Sequence, residues 1–162
     1  MRAMTDDDID ATLRQPGQDP FRVLCHGDST QAVLAWLQAD GTPAIHRLDI
    51  GPERLAHRVF RHTPPLPVEI EHAIDLVEDE LMRLHGRVSR GRALQAAGTF
   101  QVVQRVVPGG QREDVEALFE RLTLVSQGRP SAGDGLPQDS VFAAAALVLR
   151  ECMHHLGCEA LV

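Results

Sequence analysis

The stretch Phe21-Arg22-Val23-Leu24-Cys25-His26-Gly27-Asp28-Ser29-Thr30-Gln31-Ala32-Val33-Leu34-Ala35-Trp36-Leu37 decides how this chain folds, because its second half can be read in two ways. Phe21 to His26 reads as a strand. Gly27 to Thr30 then either turns the chain back or caps a helix. Asp28, Ser29 and Thr30 are all helix-capping residue types, and Ala32 to Leu37 shows no clean alternation of apolar and polar positions. That favours a helix with Val33, Trp36 and Leu37 on its inner face, ended by Asp40-Gly41. The alternative is a second strand and a hairpin closed by the same Asp-Gly pair, and residues 31–38 stay open between helix and strand. With the helix, and with Ala44 to Ile50 as a further strand, residues 21–50 form a βαβ-like unit whose right-handed crossover makes its strands parallel.

Outward from this unit the chain reads mostly as helix. Thr5 with Asp8 makes a capping box for a short leading helix that Pro16-Gly17 stops. Pro52 begins another, with Leu55, Val59 and Phe60 as its apolar stripe, before Thr63-Pro64-Pro65-Leu66-Pro67 breaks it. Glu69 to His85 is the clearest helix: Ile70, Ile74, Val77, Leu81 and Leu84 share a narrow arc, with Glu71, Asp75, Glu78, Asp79 and Met82 on the far side. Ala93 to Ala97 reads as a short helix and Thr99 to Val107 as a strand. A helix through Val115, Leu118, Phe119 and Leu122 follows, then a loop over 127–138, and last an all-round apolar helix from Val141 to Leu156. The expectation is an α+β, helix-rich single domain, 1–162, in which a small N-terminal sheet packs against four or more helices.

Composition narrows the chemistry. The 162 residues contain no Lys, Asn or Tyr, and all 16 basic residues are Arg. Schiff-base lysines, P-loop lysines and tyrosine acids or nucleophiles are thereby excluded. The joint absence of residues with A/T-rich codons points to a GC-rich, bacterial source. A net charge of -7 argues against nucleic-acid or anionic-membrane binding. The apolar run Val141 to Leu149 is too short to span a bilayer, and Met1 to Asp8 lacks the apolar core of a signal peptide, so a cytoplasmic protein is expected. Cys25, Cys152 and Cys158 form no Cys-x-x-Cys pair and read as free thiols.

Three groups of residues could carry function. Cys25-His26-Gly27-Asp28-Ser29 falls at the carboxyl end of the first strand, where α/β units bind ligands. There His26 could serve as acid or base and Ser29 as an anion contact, with Asp28 beside them, although the same residues also suit ordinary turn chemistry in which Asp28 or Ser29 caps. Arg87, Arg90 and Arg92, with Arg83, could seat a phosphate or an acidic segment, and Arg54, Arg58 and Arg61 line an earlier helix; both sets also fit a solvated charged face. The third group is a pair of Glu-x-x-His motifs, Glu69 with His72 and Glu151 with His154. This pairing resembles the di-iron carboxylate pattern of ferritin-like bundles, which would imply an inward-facing Glu/His metal centre in a four-helix core. His72, however, projects about 200° from the apolar arc of its helix, so the motifs read as solvated pairs. Cys152, His155 and Cys158 are spaced poorly for zinc.

No complete catalytic set stands in the sequence. The leading expectation is therefore a binding or accessory module, with a protein partner on its acidic helix face and a homodimer formed through the apolar last helix. No resident cofactor or metal is expected. The alternatives are a small hydrolase or phosphoryl-transfer enzyme using His26, Asp28 and Ser29, and a metal-binding protein using the Glu-x-x-His residues.

Overall fold

A computed structural model describes residues 2–133 and 135–162 of the chain. Its centre is a five-stranded mixed sheet. Strands β1 (Arg22–Gly27), β2 (Ala32–Leu37) and β3 (Pro43–Leu48) form an antiparallel meander. Strand β4 (Ala93–Gly98) lies parallel to β1 on its other side, and β5 (Ala160–Leu161) adds to β4, giving the order β3-β2-β1-β4-β5. Among the described residues the helices are α1 (Asp6–Leu13), α2 (Pro52–Arg58), α3 (Pro67–Met82), α4 (Gln101–Gln104), α5 (Arg112–Ser126) and α6 (Ser140–Leu156). The α+β class stands, with a small mixed sheet against several helices.

Residues 32–37 are strand, so the βαβ-like reading of 21–50 is corrected to a meander. The physical reason is that β2 is buried on both faces. Ala32, Leu34 and Trp36 enter the main core, while Val33 and Ala35 meet Ile9 and Leu13 of α1 on the opposite face. A doubly covered strand has no polar side and hence no alternation to read. The capping residue types are used too, but in a turn: Asp28 Oδ1 accepts from Thr30 N at 2.7 Å, Gln31 N at 3.0 Å and the Thr30 hydroxyl at 2.8 Å. The β2–β3 hairpin is closed around Asp40 and Gly41, whose φ of 80° suits glycine.

A second exchange concerns residues 93–107. Ala93 to Ala97, read as a short helix, lies in β4 (Ala93–Gly98), where small side chains let Leu94 and Ala96 sit inside the core beside β1. Thr99 to Val107, read as strand, turns at once into α4, with Phe100 and Val103 buried three residues apart. Both cases are tertiary packing overriding local propensity.

The long helices form where the apolar spacing placed them. In α3, Ile70, Ala73, Val77 and Leu81 are buried and Met82 is exposed. Helix α6, capped by Asp139 on Phe142 N and ended by Gly157 in the left-handed region, packs against α2, α3 and α5. Its all-round apolar character is thus satisfied inside the chain. Among the described residues no helix is long and apolar enough to cross a membrane.

All three cysteines are free and buried. Burial pushes the Cys158 thiol up to about 12, and a hydrogen bond with the Cys25 thiol, together with burial, raises Cys152 well above the ordinary value. Thiolate is the reactive form. A thiol reagent at neutral pH is therefore expected to label none of the three cysteines in the folded protein and all three after unfolding; rapid labelling of the native chain would contradict this packing.

Candidate functional site

The carboxyl ends of the two adjacent parallel strands β1 and β4 meet the β1–β2 turn at one edge of the sheet. Gly27 stands opposite Gly98 in the register, and Gly27 O accepts from Thr99 N at 3.0 Å and from the Thr99 hydroxyl at 3.2 Å. The approach is close enough to require glycine. A Cβ on Gly98 would sit 2.1 Å from Gly27 O and 2.9 Å from His26 Nε2, and its φ is 59°. Sheet geometry of this kind leaves strand-end backbone groups and turn hydroxyls facing outward, as in open α/β ligand sites.

His26 and Asp28 are both buried, at 8% and 2% exposure, and each keeps one polar atom without a hydrogen-bond partner: His26 Nδ1 and Asp28 Oδ2. Burial lowers the His26 pKa, against the opposing pull of Asp28, so the imidazole is neutral at pH 7. Burial disfavours ionisation of Asp28, but the hydrogen bonds from Thr30 and Gln31, with His26 nearby, together hold its carboxyl below the usual value. The pair is a neutral imidazole beside a carboxylate. Ser29 and Thr30 form the exposed tip of the turn.

The other residues singled out by the sequence go elsewhere. His62 Nδ1 pairs with Glu69 Oε1 at 2.9 Å, and Glu69 Oε2 accepts from Leu66 N at the start of α3, which occupies Glu69 in capping. His72 is exposed. His154 meets Arg112 at 2.9 Å. The two Glu-x-x-His motifs therefore do not meet. The arginines also separate: Arg87 is exposed, and Arg90 lies against Gly157. Arg92 is buried, donating to Ser89 Oγ and Leu37 O with its guanidinium 4.3 Å over the Phe21 ring.

One cluster was missed. Glu78 on α3 and Glu151 and His155 on α6 place ligand atoms within 4.8 Å of one another. His155 Nε2 is 3.2 Å from Glu78 Oε1 and 3.5 Å from Glu151 Oε2, while Glu151 Oε1 takes Arg150. The signal for it in the sequence was the i, i+4 spacing of Glu151 and His155, which the i, i+3 motif overshadowed. The partner on α3 comes from tertiary packing alone.

Fold and site together define a class: a mixed sheet with helices on both faces, in which two parallel strand ends meet the β1–β2 turn. Solved structures give that class a context. The chain is similar to a Ppx/GppA family member of Aquifex aeolicus, with a TM-score of 0.63 at 14% identity over 86% of this chain and 50% of that one. It is likewise similar to the type II variant of the Aquifex aeolicus Ppx/GppA phosphatase, at a TM-score of 0.65 and 14% identity over 94% of this chain and 55% of that one. An exopolyphosphatase from Cytophaga hutchinsonii gives 0.65 and 13% over 94% and 56%. The chain spans about half the length of these proteins. No family model and no curated protein matches it in sequence.

Proposed function

We propose that this chain acts on phosphate esters or phosphoanhydrides, binding a terminal phosphate at the edge formed by the β1–β2 turn and the β4–α4 turn. The observation that carries the reading is the juxtaposition of Gly27, Asp28 and Ser29 with Gly98 and Thr99 at the ends of two parallel strands, where two buried polar atoms stand unpartnered. It is supported by the likeness to solved Ppx/GppA-type phosphatases and exopolyphosphatases. The Ser29 hydroxyl is the donor for a phosphate oxygen, while the Thr30 hydroxyl holds Asp28 Oδ1. Asp28 is the general base: the bond from phosphorus to the leaving oxygen breaks, one forms from a water oxygen, and the water's proton passes to the carboxylate. Thr30 and Gln31 position that carboxylate through Oδ1, and neutral His26 lies near enough to interact with it electrostatically. Phosphoryl transfer needs positive charge at the phosphate oxygens, which a magnesium complex of the substrate supplies. The reading includes a cytoplasmic location, in keeping with three unpaired thiols.

The test is phosphate release from polyphosphate and from p-nitrophenyl phosphate with magnesium present, read beside amide shifts of Ser29, Thr30 and Thr99. Release is expected from the wild type and is expected to fall at least about 100-fold in Asp28→Asn, a variant that keeps the turn's acceptor oxygen. Shifts without turnover would overturn hydrolysis in favour of a phosphate-binding module. Neither shifts nor release would overturn the site.

A further inference from the structure

We propose that Glu78, Glu151 and His155 form a binding site for a borderline divalent cation of the zinc class, made of residues separate from the β1–β4 site and independent of the phosphate reading.

The first argument is geometric. Oxygen and nitrogen ligands lie about 2.0–2.2 Å from zinc, so two of them on a tetrahedral ion are about 3.4 Å apart. The measured separations from His155 Nε2 are 3.2 Å to Glu78 Oε1 and 3.5 Å to Glu151 Oε2, close to two edges of such a tetrahedron. The third edge, between the carboxylates, lies within 4.8 Å. Glu78, whose side chain is 43% exposed, has room to adjust on that edge.

The second argument is burial. Glu151 is 1% exposed, in a helix otherwise packed with Ala, Val and Leu. A carboxylate there is retained only if its oxygens are engaged. Oε1 is engaged by Arg150, but Oε2 has His155 Nε2 at 3.5 Å, longer than a normal N–H···O bond. A single Nε2–H cannot serve two carboxylates well, whereas a cation at their common centre serves both.

Charge supplies the third argument. Arg150 is shared between Glu151 and Glu116, so Glu78, Glu116 and Glu151 carry three negative charges against one guanidinium. A metal-binding imidazole contributes as the neutral form. Two carboxylate oxygens with one imidazole suit zinc, cobalt(II) or manganese(II) rather than calcium, and the partly exposed Glu78 leaves a fourth position open to water.

The experiment is titration of chelator-treated protein with Zn²⁺ by calorimetry, and with Co²⁺ by visible absorption. One ion per chain is expected, with a rise in thermal midpoint that grows with free Zn²⁺ and a Co²⁺ spectrum of low-symmetry tetrahedral type without a thiolate charge-transfer band. Glu78→Gln and His155→Gln are expected to weaken binding at least about tenfold, and His154→Gln to leave it unchanged. Glu78 is at the surface, so Glu78→Gln tests the site even if changes at α6 disturb folding. No Zn²⁺ or Co²⁺ uptake by the wild type would overturn the proposal. So would undiminished uptake in Glu78→Gln, or a thiolate band showing that the cysteines take the ion. A lack of phosphatase activity would not bear on it.

Discussion

Gly98→Ala is expected to cost the folded protein about 3 kcal/mol or more, and to abolish whatever the β1–β4 edge binds. Two effects add. The residue's φ of 59° lies in the left-handed region, which an alanine occupies at a cost of about 1 kcal/mol, and the new Cβ would stand 2.1 Å from the Gly27 carbonyl oxygen. That oxygen is backbone and cannot swing aside. The strands must part at their ends, loosening the bond from Thr99 N to Gly27 O that ties the two turns together. Gly86→Ala is the control, because Gly86 has a φ of 74° but nothing within 4 Å of an added Cβ. It should lose only about 1 kcal/mol. Denaturant midpoints that place the two variants together would mean that the strand ends are not held as closely as described.

The same residues show what could be read from the sequence. Long helices with one-sided apolar spacing were legible: Ile70, Val77 and Leu81 pointed inward in α3, and the all-round apolar α6 lies between other helices. Periodicity reports burial, so it succeeds where one face is wet. It fails in β2, dry on both faces, and in β4, where alanines chosen for space beside β1 look like helix formers. At the site, Gly27, Asp28 and Ser29 were legible as a strand-end turn. That Gly98 and Thr99 stand opposite them was not, because the parallel pairing of β1 with β4 joins positions more than seventy residues apart. The Glu78–Glu151–His155 cluster was hidden for the same reason. Spacing within one helix predicts which side chains share a face, and packing between helices decides which faces meet.

Leu34→Ala is expected to destabilise the protein by about 2–5 kcal/mol, and to do so by more than Leu37→Ala. In the structure Leu34 is 0% exposed, pairing across to Cys25 on β1 and His46 on β3 and packing into the main core. Leu37 is only partly buried at the end of the strand. A helix over the same residues reverses the order, since Val33, Trp36 and Leu37 then form the inner face and Leu34 lies at its flank. Trp36→Ala is uninformative on this point because Trp36 is interior in both arrangements. The order of the two leucine variants in urea unfolding thus reads the period of the segment directly. Leu37→Ala proving the costlier would restore the helix and remove the β1–β2 turn that places Asp28 and Ser29, and with it the proposed phosphate site.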